Sequence, residues 1–180
     1  MKKIAIICAV LVVSGSALAA DPILSALKPG KYSGSVQSFV DSSINGKKGT
    51  VAVAKSEQGT VVTFVMDGAQ GKEREEWLIQ GSDLIQKEYD AAGKVVANYT
   101  SSITPARPAT ATEATFAVHC SDRAKNVCDN GIDARNSWTL AVNGDKLTYT
   151  VWGVKSKEDR ANPTAPVVKR HEFSFQPTTK

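Results

Sequence analysis

The chain has 180 residues, 42% of them hydrophobic, with 22 Lys and Arg against 18 Asp and Glu and a formal net charge of +4. A nucleic-acid binder clusters its basic residues on one face, whereas here both signs are interleaved, as in KEREE from Lys72 to Glu76 and KSKEDR from Lys155 to Arg160; no nucleic-acid partner is expected. The length suits a single domain around one core.

The first segment reads as a secretory signal peptide. Lys2 and Lys3 precede an apolar run from Ile4 to Val13, and the small-residue pattern Ala17-Leu18-Ala19 follows. That run is shorter than the roughly 20 residues of a membrane-spanning helix. Residues 1–19 are therefore expected to be cleaved, leaving 20–180 as one β-barrel domain in a periplasm or outside the cell, with a bacterial style of leader. Loss of Lys2 and Lys3 lowers the basic count from 22 to 20 against 18 acids, a net charge of +2. Cys8 leaves with the leader, so only Cys120 and Cys128 remain.

After a short lead of helical character at Pro22–Leu27, the pattern has a period of two. The predicted strands are Gly30–Val40, Thr50–Ala54, Thr60–Met66, Arg74–Gln80, Leu84–Asp90, Val95–Ile103, Thr115–Cys120, Ser137–Val142, Leu147–Val154 and Val168–Phe175. Turn chemistry separates them at Asn45-Gly46, Glu57–Gly59, Asp67-Gly68, Gly81–Asp83, Ala91–Gly93 and Asn143-Gly144. The two Asn-Gly pairs predict type I′ turns, with positive φ at both central residues.

Connections this short join only antiparallel neighbours. An open sheet of ten such strands would leave two bare edges, and closure removes them. The expected fold is all-β, an antiparallel up-and-down meander of about ten strands closed into a β-barrel. A two-sheet β-sandwich is the alternative. It would need crossovers, for which only the proline-bearing segments Thr104–Ala114 and Ser156–Pro166 are available.

Alternation puts Tyr32, Val36, Val51, Val53, Val62, Phe64, Trp77, Ile79, Tyr99, Phe116, Trp138, Leu140, Leu147, Tyr149, His171, Phe173 and Phe175 on the inner face. Asn98, Thr100, Thr148, Thr150, Arg170 and Glu172 fall on the outer one. This polar outer face and several short strands argue against an outer-membrane barrel, whose spanning strands need about 9 to 11 residues and a lipid-facing apolar band; no membrane insertion is expected. Two segments resist the rule. Leu84–Asp90 lacks a clean apolar face and is expected at an edge or rim, and Thr60–Met66 is apolar on both faces and is expected to be covered on both.

The stretch HCSDRAKNVCDNGIDARNS, from His119 to Ser137, gathers candidate ligands for a metal. His119 and Cys120 project to opposite faces of a strand, and seven residues between Cys120 and Cys128 are too many for a zinc or C-x-x-C pair. In an oxidising compartment the pair reads as a disulfide, worth about 2 to 3 kcal/mol by chain entropy. Asp122, Asp129 and Asp133 lack the spacing of a calcium loop, and HEFSF at His171 has Phe175 where a zinc motif needs its second histidine. Glu73, Glu75 and Glu76 read as a solvated strand end. No metal, no cofactor and no enzymatic activity is expected.

The inner face carries polar handles on Tyr32, Tyr99, Tyr149 and His171, beside Trp77 and Trp138, and each handle needs a partner when buried. These six are the candidate ligand-binding residues. Gly30-Lys31-Tyr32 sits where lipocalins carry Gly-x-Trp at their first strand, with Tyr in place of Trp, and the meander resembles a lipocalin in architecture. That resemblance implies binding of a small apolar or amphipathic molecule. The alternative is a protein-interaction module, an inhibitor or envelope assembly factor, with a solid core and functional loops at 121–135, including Arg123 and Lys125, and at 155–166. Trp152, on the polar face by parity, would then be an exposed anchor.

Overall fold

The structure, a computed structural model, describes residues 23–68, 71–104, 109–119, 132–156 and 158–178. The proposed signal peptide, the Cys120–Cys128 pairing and residues 121–131 of the first functional loop lie outside the described residues.

Ten strands follow in order: β1 (Gly30–Ser38), β2 (Lys48–Ser56), β3 (Gly59–Gly68), β4 (Gly71–Gln80), β5 (Asp83–Tyr89), β6 (Val95–Ile103), β7 (Glu113–His119), β8 (Ile132–Asn143), β9 (Lys146–Val154) and β10 (Val167–Pro177). Each pairs antiparallel with its chain neighbours, and β1 pairs with β10, so the meander closes into a barrel. The sandwich alternative is thereby excluded. Both proline-bearing segments join neighbours, β6 to β7 and β9 to β10, and neither is a crossover. The ten strands exceed the eight of lipocalins.

Closure requires β1 and β10 to approach closely. A methyl group on Gly34 would lie 1.8 Å from the Ser174 carbonyl oxygen, so only glycine fits at this seam. The first end of the barrel is plugged by residues 23–27, which form a turn and no helix. Leu24 and Leu27 are buried in the core, while Leu24 N–H and Ala26 N–H donate to the carbonyls of Thr110 and Ala111. Each plug leucine contributes about 1.5–3 kcal/mol through burial.

Turn chemistry differs from expectation at three places. Neither Asn45 nor Asn143 has positive φ, so neither pair forms a type I′ turn. Asn45 at φ −59 and ψ 133 precedes Gly46 at φ 75, the dihedrals of a type II turn. Gly144, at φ 61, is the first central residue between paired Asn143 and Lys146, as in type II′. Asp67 and Gly68 belong to β3, which pairs Gly68 with Gly71.

The middle of the barrel is filled. Phe64, Trp77, Phe116, Tyr149, Phe173 and Phe175 are buried, with Phe64 and Tyr149 centroids 4.8 Å apart and Trp77 5.1 Å from Tyr149. Ten strands enclose more width than eight, and large aromatic side chains occupy it. On the outer face of β3, Val61, Thr63 and Val65 are half-buried, so cover there is partial.

Candidate functional site: a buried carboxylate at the unplugged end

The period-two rule carries Glu75 inward with Trp77 on β4, and Gln86 and Glu88 inward with Leu84 on β5. Register then places Glu75 opposite Glu88 and Trp77 opposite Gln86, with Phe64 on the other flank of Glu75. Like charges directly opposite on one face repel. Glu75 is only 8% exposed and Gln86 not at all.

Three donors converge on Glu75 Oε1. The Trp77 indole N–H donates to it, the Gln86 amide nitrogen donates at 2.8 Å, and the Tyr149 hydroxyl stands 3.2 Å away. Oε2 receives only the long 3.4 Å approach of that same hydroxyl. The Gln86 nitrogen also reaches Glu88 Oε1 at 3.3 Å, so one amide bridges two carboxylates, while its own oxygen is buried without a partner. No Lys or Arg forms an ion pair with either acid among the described residues.

Burial dominates the electrostatics. Desolvation raises the Glu75 carboxyl to about 7; the Trp77 bond opposes that rise, the Glu88 charge adds to it, and Tyr149 opposes it. Glu88 is raised as well, first by burial, with Gln86 lowering and the charge of Glu73 raising it. The Tyr149 hydroxyl is pushed well up by burial and then by the Glu75 charge. Tyr99 is raised by burial and by both carboxylates.

Glu75 and Glu88 line a cavity of about 400 Å³ beneath the β5–β6 hairpin, within the usual range for small-molecule sites. Met66, Tyr89, Ala91 and Val96 supply apolar wall, and Glu73, Arg74 and Asp90 complete it. Arg74 stacks 3.8 Å above the Tyr89 ring. Val96 is 59% exposed, so this wall presents apolar surface to incoming molecules.

The six expected binding residues divide. Trp77 and Tyr149 both hold Glu75. Tyr99 and Trp138 pair with centroids 6.0 Å apart, and Tyr99 lies opposite Gln86. Tyr32 stands at the plugged end and donates to the Lys28 carbonyl at 2.8 Å. His171 is near Ser38, its Nδ1 3.0 Å from Oγ, with its pKa lowered by burial and then by Arg170. None of the six lines the 400 Å³ cavity itself.

Three readings are corrected. Glu75 is no solvated strand end, because it shares the inward parity of Trp77. β5 is no edge either, since closure leaves none; its missing apolar face is the polar site itself. Trp152 is half-buried against the outer wall, its indole donating to Thr139 Oγ1 at 2.9 Å, so it is not an exposed anchor. In the second functional loop, Asp159 accepts from Ser156, and Arg135 donates to the carbonyls of Asn162 and Arg160.

Other polar groups do not form a comparable site. His119 Nε2 lies 2.7 Å from Ser102 Oγ on the outer wall, but Ser102 donates its only proton to Asp83 at 2.8 Å. His119 is then the donor, and the serine is not activated as a nucleophile. A groove of about 430 Å³ at Ser33, Ser35, Lys48 and Lys72 lies on the outer face by parity. Among the described residues no group of three or more His, Cys, Asp or Glu is placed to hold a metal ion.

No protein-family model, curated protein or solved structure matches the chain.

Proposed function

We propose that the protein is a secreted or periplasmic, non-enzymatic barrel that binds a small amphipathic molecule at its unplugged end. The observation that carries this reading is the cavity in which an apolar wall of Met66, Ala91 and Val96 meets the buried Glu75 carboxylate. A filled barrel middle makes this a site for part of a ligand near the rim, in contrast to a deep central calyx. Trp77, Gln86 and Tyr149 hold the polar floor in one orientation, which lowers the ordering cost of binding.

Native mass spectrometry of the protein purified from its own source, followed by denaturation and analysis of released small molecules, tests the reading. A stoichiometric amphipathic molecule is the expected result. An apo mass under conditions that retain weak ligands overturns it, and points to the loop-mediated protein-interaction alternative. Val96→Ser should weaken binding of the recovered molecule about tenfold by removing apolar contact at the entrance without adding charge.

A further inference from the structure

Building on the proposed binding site, we infer that its ligand carries a protonated amine head, an alkylammonium whose N–H groups donate to Glu75 Oε2 and Glu88. If the barrel binds no small molecule at all, this inference falls with that reading.

Three independent features converge on a cation. Glu75 and Glu88 face one another across β4 and β5 and both line the cavity, yet only the neutral Gln86 amide stands between them. A buried and a half-buried carboxylate in register are costly unless a positive charge joins them. The one guanidinium in the wall, Arg74, is engaged on the Tyr89 ring. An arriving cation would relieve both acids.

The hydrogen-bond inventory also has matching vacancies. Oε1 of Glu75 takes every short donor, leaving Oε2 with a single 3.4 Å approach. Glu88 Oε1 receives a long 3.3 Å approach from the Gln86 amide. These are acceptors, as is the rest of the Glu88 carboxylate, and an ammonium offers three donors and no acceptor. A carboxylate or phosphate head would meet repulsion from Glu73, Glu75, Glu88 and Asp90, against the single opposing charge of Arg74. A hydroxyl head could donate once and would gain no charge assistance. The apolar wall, with Met66 and Ala91 beside exposed Val96, suits an alkyl body.

Three probes with one chain length and different heads separate the possibilities: octylamine, 1-octanol and octanoate, titrated by calorimetry at pH 8 and low salt. Octylamine should bind about ten- to a hundredfold more tightly than 1-octanol, the worth of one charge-assisted bond, and octanoate should bind weakest. Glu75→Gln should remove most of the preference for octylamine over 1-octanol; Glu88→Gln should remove a smaller part. Equal affinity for octylamine and 1-octanol, or tighter binding of octanoate, overturns the amine assignment while the binding reading stands. Preference for octylamine that survives both variants also overturns it. Failure of all three probes to bind, with a stoichiometric ligand of another class recovered from the source, overturns the amine alone; failure with no recovered ligand overturns both.

Discussion

The two ends of the barrel solve opposite problems. At the plugged end, Leu24 and Leu27 close an apolar interior, the Tyr32 hydroxyl is satisfied by a nearby backbone carbonyl, and the buried hydroxyls of Ser101 and Thr104, which lack a partner, are neutral. At the other end a carboxylate is buried on three donors with no cation paired to it among the described residues, opposite a second acid. The plugged end leaves only neutral hydroxyls unmet, whereas the other retains unmet carboxylate acceptors. Evolution tolerates local destabilisation mainly where it serves a function, and the contrast localises that function.

The largest expected effect belongs to the plugged end. Leu27→Ala should cost about 2–5 kcal/mol in urea unfolding, because it removes a buried side chain and leaves a cavity. That loss should be the same at pH 5 and pH 8, since the titratable side chain in the same core cluster, Tyr32, stays neutral across that range, its pKa raised by burial. A loss that changed with pH would show the two ends to be electrostatically coupled and would break the contrast.

Next comes the acid itself. The folded-state value for Glu75 is about 7, against an ordinary value of 4.5. Between those values the folded protein keeps a proton that the unfolded chain has released. Its contribution therefore favours folding most at or below about pH 4.5, declines as pH rises through the window, and levels off above about pH 7, a total of roughly 3 kcal/mol. Glu88, also raised, acts in the same direction. His171, lowered, acts oppositely by losing stability as pH falls, and Glu73, Arg74, Tyr89 and Asp90 are the other charged or titratable groups lining the site. A variant comparison isolates the Glu75 part. Glu75→Gln should match the natural protein near pH 5 and exceed it at pH 8 by up to roughly 3 kcal/mol. If Glu75→Gln is destabilised at pH 8, the carboxylate is a structural asset and the site reading weakens.

The fold was legible because alternation and turn residues are local signals. All ten strands, their order and the inward aromatics followed from period two, with Leu84–Asp90 as the instructive exception. Its polar inner face looked like an edge because sequence alone does not show which strand lies opposite. Register supplies that fact: Gln86 meets Trp77 and Glu88 meets Glu75. A stricter use of parity would have found Glu75 from Trp77 two residues on, but the neighbouring Glu73, Arg74 and Glu76 made the segment look solvated. Cavity position was illegible, since filled and hollow barrels share one alternation. The Asn-Gly turns failed for a related reason: both glycines take positive φ, and the remaining geometry is set by strand pairing.

The smallest effects compare two tyrosines with matched chemistry and different acceptors. Tyr32→Phe removes a 2.8 Å bond to the neutral Lys28 carbonyl and should cost about 1 kcal/mol at any pH between 5 and 8. Tyr149→Phe removes a donor from Glu75. With Glu75 protonated near pH 5 its cost should also be about 1 kcal/mol, but against the ionised carboxylate at pH 8 it should grow toward about 2 kcal/mol. The same substitution should shift the Glu75 midpoint upward, because one of the groups favouring the charged form is gone. Carbon-13 NMR of labelled glutamate would follow that midpoint directly. An unmoved midpoint in Tyr149→Phe would mean that Trp77 and Gln86 alone hold the carboxylate, and would remove Tyr149 from the site while leaving its place in the aromatic core.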